Sequence, residues 1–130
     1  MTNSELLAHH VSLVAKPTEP GDLEIYHSDV VMTLMYSPEG HTHTLNGPEA
    51  ITKFMARIGE FFTITSRPAP RIVETGAGAL AEYQGDMICL ETNSAYRQDY
   101  VAVAEIDGGK IRAVREYYDP IRVLKAFGEM

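Results

Sequence analysis

The chain carries a single cysteine, few basic residues and no long apolar run, and each shortage closes a class of function. Cys89 alone can form no internal disulfide and join no multi-cysteine metal site. That usage fits a reducing compartment, so the cytoplasm is the expected location. Eleven Lys and Arg against eighteen Asp and Glu leave a net charge of −7. Proteins that bind nucleic acid neutralise phosphates with clustered cations, so nucleic acid is not an expected partner, nor is an anionic membrane surface. No apolar stretch approaches the ~18–20 residues that span a bilayer, and the first residues lack the basic and apolar segments of a secretory signal. A phosphate-cradling glycine loop, a dinucleotide fingerprint and a serine-nucleophile elbow are all missing.

What is present suits one ordinary globular domain. The 130 residues are 45% apolar and 22% charged, enough to bury a real core and too few for two comfortable ones. A single domain over 1–130 is therefore expected. Thr2 and Glu5 stand at capping-box spacing before a helix expected to run to Lys16, with Leu7, Val11 and Val14 as its stripe. Pro17 and Pro20-Gly21 stop it, and a short second helix is expected from Asp22 to about His27. Val30–Tyr36 reads as a strand and Ser37–Asn46 as a hairpin or ordered loop. Gly47-Pro48-Glu49 opens the strongest helix, whose apolar face holds Ile51, Phe54, Met55, Ile58, Phe61 and Phe62.

The remainder reads as strands. Arg67–Val73 has the prolines of an edge. Ala79–Glu91, Tyr96–Ile106 and Lys110–Asp119 follow, the last two joined by Gly108-Gly109, a two-residue hairpin signal. Asp119-Pro120 then has the form of N-cap and first residue of a final helix carrying Val123, Leu124 and Phe127. Helices first and a meander afterwards is an α+β pattern.

A regular hairpin around Gly108-Gly109 opposes Val101 to Glu116 and Val103 to Val114. One face then carries Asp99, Val101, Val103, Glu105, Val114, Glu116 and Tyr118, joined by Gln84 and Asp86 if Asn93-Ser94 is also a tight turn. The other carries Tyr83, Tyr100, Ala102, Ala104, Ile106, Ile111 and Tyr117. Two readings follow. In one, the tyrosine and alanine face is core and the acidic face meets solvent. In the other, the mixed face lines a pocket and its carboxylates are buried, which raises their pKa toward the range of general acid–base work. A β-bulge would break the alternation on which both readings rest.

Tyr96-Arg97-Gln98-Asp99-Tyr100-Val101, Asp107-Gly108-Gly109-Lys110-Ile111 and Arg115-Glu116-Tyr117-Tyr118-Asp119-Pro120-Ile121 together resemble the SnoaL-like branch of the nuclear-transport-factor-2-like superfamily. The ending, through Leu124 and Phe127, is similar to that of phenazine-biosynthesis A/B proteins. The resemblance implies a cone-shaped curved antiparallel sheet wrapped around N-terminal helices, a cystatin-like α+β barrel, and a homodimer formed through the sheet. It also implies catalysis without metal or cofactor on a small apolar or aromatic molecule, by isomerisation, cyclisation or dehydration. Members that only bind a ligand keep a non-catalytic or accessory role open.

By that resemblance the acidic position of the last strand is Glu116, the principal acid or base. Asp99 or Asp86 is the second expected carboxylate, with Gln84 standing where the epoxide-hydrolase branch has Arg. Tyr26, His43 and Tyr118 are the expected substrate-orienting groups. No histidine occurs on the long helix, unlike the phenazine branch. His41 and His43 are spaced like a metal pair on a strand but have no third ligand nearby, so a loop or pocket-rim position is expected. A protein-interaction role through Tyr83, Tyr100 and Tyr117 is the remaining alternative.

Overall fold

The computed structural model describes all residues from Met1 to Met130. Thr2 caps α1 (Asn3–Ser12): its hydroxyl accepts from the Glu5 amide at 3.1 Å, while the Glu5 carboxylate accepts from the Thr2 amide at 2.8 Å. The helix ends at Ser12 rather than Lys16 because the chain turns back through Ala15, which sits at φ 59°. The second helix is a single 3-10 turn, Asp22–Ile25. Strand β1 (Tyr26–Leu34) starts earlier than expected, since Tyr26 already pairs with Ile111. The polar stretch after it contains β2 (Thr44–Asn46), which returns antiparallel along β1 as the expected hairpin.

Gly47, at φ 92°, delivers Pro48 into the first turn of α2 (Pro48–Phe61), which buries Ile51, Thr52 and Met55. Phe62 belongs not to this helix but to β3 (Phe62–Ser66). Its apolar spacing continues the helical face, yet Phe62 and the β-branched Thr63 and Ile64 pair with the next long strand, and the helix ends. Short β4 (Arg71–Glu74) starts after the two prolines. The meander β5 (Gly78–Cys89), β6 (Ser94–Asp107) and β7 (Lys110–Tyr118) follows, then α3 (Pro120–Ala126), capped by Asp119 accepting from the Ile121 amide at 2.9 Å.

The seven strands form one curved open sheet in the order β2-β1-β7-β6-β5-β3, with β4 also pairing β5. The fold is α+β, as expected, but the sheet is mixed rather than wholly antiparallel: β1 and β7 run parallel. The helix and meander between them form the long crossover that a parallel pair needs. Ala79, Ala81, Ala102 and Ala104 line the inner face with no exposed surface to speak of, and such small side chains let α1 lie close across β5. Leu6, Leu7, Ile51, Met55, Met32 and Val114 complete the core. No helix is long and apolar enough to cross a membrane.

The β6–β7 ladder departs from the regular hairpin. Asp107 pairs with Lys110 and Ile106 with Ile111, but Glu105 then pairs with Ala113, leaving Arg112 as an extra residue. Ile111 and Val114, three apart, therefore both point inward, and Glu116 faces Ala102 instead of Val101. Each sequence reading was half right. The tyrosine and alanine face is core, and Glu116 is buried in it.

Gly78 lies across from this distortion. A Cβ there would sit 2.2 Å from the Ala104 carbonyl oxygen and 3.0 Å from the Ile106 nitrogen, both backbone atoms. Gly78→Ala should therefore destabilise the protein by about 2 kcal/mol or more, visible as a lowered midpoint in urea. An unchanged midpoint would mean that β5 can move away from β6 at no cost.

Candidate functional site

A cavity of about 900 Å³ opens between the inner face of the sheet, α2, α3 and the segment 37–42. Its walls are mostly apolar: Leu34, Phe54, Met55, Ile58, Phe62 and Met87 among them. Alternation on the curved strands sends Tyr96 and Tyr100 of β6, and Glu116 and Tyr118 of β7, into the same space. Glu116 is 6% exposed, and it is the carboxylate that the sheet places at the bottom of this apolar chamber.

No cation meets it. Its one side-chain partner is Tyr83, whose hydroxyl donates to Glu116 Oε1 at 2.8 Å. Burial disfavours the charged form and pushes the Glu116 carboxyl up to about 7, while the Tyr83 hydrogen bond pulls modestly the other way. Tyr83 is itself fixed by stacking on Tyr100, with ring centroids 4.8 Å apart and planes within 12°. Burial, and the negative charge of Glu116, hold the Tyr83 phenol well above its ordinary value. Tyr83 therefore keeps its proton at neutral pH and donates it to the ionised Glu116 carboxylate. The arrangement can bind an apolar molecule and exchange a proton with it.

The other expected residues separate. Tyr118 lines the cavity, half-buried. Asp99 and Asp86 stand on the opposite face of the sheet. Asp99 is exposed and bound by Arg122 at 2.7 Å, which keeps its carboxyl below the usual range; Asp86 is 3.7 Å from Arg97. Gln84 is on that outer face too, accepting from Arg97 at 3.1 Å. The parity that grouped these three was correct. The bulge moved Glu116 away from them.

Tyr26 is buried beside the cavity rather than in its wall, its hydroxyl 2.5 Å from His10 Nδ1. His10 is fully buried and shifted down to about 4, because burial disfavours its cation. His43 is exposed and turned to the Thr44 hydroxyl. The neighbouring His41 lines the mouth instead, 3.5 Å from Glu129. Tyr83 and Tyr100, which sequence reasoning placed with Tyr117 on an interaction face, and Tyr96, to which it gave no role, are functional candidates that it missed. Their alternation with Ala81, Ala102 and Ala104 on one inner face was the available signal.

Residues 12–114 match the family described as the SnoaL-like domain. An uncharacterised protein of Bacillus subtilis, YesE, is 31% identical over 107 residues, covering 81% of this chain and 73% of that protein. A PhzA/B-like protein of Pseudomonas aeruginosa is 28% identical over 130 residues, covering 98% of this chain and 92% of its own. Among solved structures, a nuclear-transport-factor-2-like protein of Burkholderia xenovorans superposes with a TM-score of 0.82 at 20% identity, covering 96% and 95% of the two chains. A Bacillus subtilis protein provisionally named an isomerase superposes at 0.79 with 26% identity, covering 100% and 98%.

The carboxyl of Glu116 ties stability to pH. In the unfolded chain it ionises near the ordinary 4.5, and in the fold near 7. The unfolded state therefore releases its proton first as pH rises, and stability falls between those values and then levels off. Glu116→Gln, which has no proton to lose, should gain on the order of 3 kcal/mol over the parent at pH 8 relative to pH 4. Parallel stability curves across that range would show that Glu116 is not desolvated.

Proposed function

We propose that this chain, which belongs to the SnoaL-like domain family, is an acid–base catalyst for a small apolar or aromatic molecule. The reaction class is isomerisation, cyclisation or dehydration. The observation that carries this reading is Glu116: a carboxyl with no cation partner, brought to about 7 by burial, at the base of a cavity of about 900 Å³. A base with its pKa near the working pH combines a large ionised fraction with useful proton affinity. Tyr83 holds one carboxylate oxygen, which leaves the other for the substrate. Apolar walls strengthen every charge interaction within them, and they suit a ring system better than a sugar or a nucleotide. The SnoaL-like relatives, and the similar Bacillus subtilis structure provisionally named an isomerase, are in keeping with this chemistry.

One observation favours a second reading, a ligand carrier without turnover. Asp99 and Asp86 lie on the far face, so Glu116 has no second carboxylate to share a proton relay. A second copy of the chain on that far face belongs to the same proposal. Val101, Val103 and Tyr117 stay only half-buried there, among charges of both signs from Asp99, Glu105, Arg97 and Arg115. Light scattering should give a dimer mass, and Tyr117→Asp should shift it to a monomer.

The catalytic reading is tested by α-proton exchange of 2-tetralone in D2O, followed by proton NMR. The parent protein should accelerate exchange over buffer, with a rate that rises through pH 7 and levels off as Glu116 ionises. Glu116→Gln should lose about a hundredfold or more of it. Equal exchange by the variant removes Glu116 from the chemistry, and no acceleration by the parent favours the carrier.

A further inference from the structure

Two segments of opposite character frame the mouth of the cavity. On one side is the stretch from Ser37 to Thr42, which lies between β1 and β2 in neither helix nor strand. None of its residues is buried, so nothing anchors it in the core. Its hydrogen bonds stay within the loop. The Ser37 amide donates to the Leu34 carbonyl at 3.2 Å, the His41 amide to the Pro38 carbonyl at 3.0 Å, and the Ser37 hydroxyl to the Thr42 carbonyl at 2.6 Å. A bond from the Leu34 amide to the His43 carbonyl at 2.8 Å closes the neck. A loop that satisfies its own polar groups can swing on such a neck without disturbing the sheet.

The other side is fixed. Gly128, at φ 73°, closes the end of α3 in a left-handed turn, where its amide donates to Lys125 at 3.1 Å and the Glu129 amide to Leu124 at 2.9 Å. Phe127 and Glu129 are thereby held at the rim. The two sides meet at one residue of the loop. His41 Nε2 lies 3.5 Å from Glu129 Oε2, and the His41 ring meets the Phe127 ring edge-on with centroids 6.1 Å apart. From Pro38 to Thr42, no other ion pair or hydrogen bond leaves the loop.

We propose that residues 37–42 form a flap over the cavity and that the His41–Glu129 pair latches it shut, so that this pair governs access to the chamber holding Glu116. An exposed ion pair favours the closed state by about fivefold at most, which suits a latch that must release for every ligand. Because one partner is a histidine, the hold follows pH. With the imidazole charged the pair is Coulombic, and with it neutral only a long polar contact remains, so the flap is held in acid and loosened in alkali. The other charged groups around the mouth are Glu39 on the flap, Glu91 after β5, and Lys53 and Arg57 on α2, with Glu116 below. Comparing variant with parent at one pH cancels their ionisation. The flap goes beyond the acid–base reading and does not rest on it.

Met87 supplies the probe, since it lines the cavity and is only 3% exposed. In Met87→Cys the introduced thiol is labelled with methyl methanethiosulfonate, a small neutral reagent, and the rate is followed by mass spectrometry. At pH 6, adding Glu129→Gln or His41→Gln should raise that rate about two- to fivefold. At pH 8.5 the ratio of the two rates should fall to about one. Cys89, fully buried and outside the cavity, is the reference. In chains that keep Met87 it should react at the same slow rate with and without Glu129→Gln. Three results overturn the proposal: no acceleration at pH 6, a ratio that persists at pH 8.5, or a Cys89 rate that rises in step, which means a loosened fold and not a released latch. None of these rates involves proton transfer by Glu116, so failure of the catalytic reading leaves them unchanged.

Discussion

One surplus residue in a hairpin governs the site. The Gly108-Gly109 turn fixes where β6 and β7 begin to pair, and strict alternation from there would send Glu116 to the outer face. Arg112 bulges out of the ladder, and every side chain beyond it changes sides. Val114, Glu116 and Tyr118 come inward as a set, while Arg115 and Tyr117 go outward to join Val101, Val103 and Glu105. The core and the cavity both depend on that shift: Val114 fills the one, and Glu116 equips the other.

The environment then sets the chemistry of the acid. A carboxyl in an apolar chamber tends toward neutrality, and a hydrogen bond to its ionised form tends the other way. Tyr83 supplies one such bond, enough to orient the group but not to return it to the ordinary carboxylate range. Cations are abundant nearby in the chain, yet they are kept apart by the sheet: Arg97, Arg115 and Arg122 all pair with carboxylates on its outer surface. The sheet acts as a partition between a surface of paired charges and an interior with one unpaired acid.

Much of the frame was legible in the residues. Thr2 and Glu5 form the capping box they suggest, Gly108-Gly109 makes the turn, and Asp119 caps the last helix. These are local signals, each settled within four residues, and tertiary packing had no reason to override them. Glu116 was legible through the family resemblance of its segment, although not through periodicity. What stayed hidden was non-local. A bulge next to a tight turn has no mark in Lys110-Ile111-Arg112-Ala113, and its effect on Asp86, Asp99 and Gln84 is felt one or two strands away. Strand β3 was obscured for another reason, since Phe62 continues the apolar spacing of α2 by coincidence.

The parallel pairing of β1 with β7 has a consequence for how this cavity comes into being. Leu34 pairs with Glu116 across about eighty positions of chain, whereas β5, β6 and β7 are joined by short turns. Closing so large a loop costs entropy before any contact repays it, so non-local pairings of this kind slow folding. The meander can assemble from its own hairpins and set the bulge early. The strand that closes the sheet beside Glu116 is thus its most distant partner in sequence, and the burial that raises the proton affinity of the acid rests on the pairing that is entropically the most costly to make.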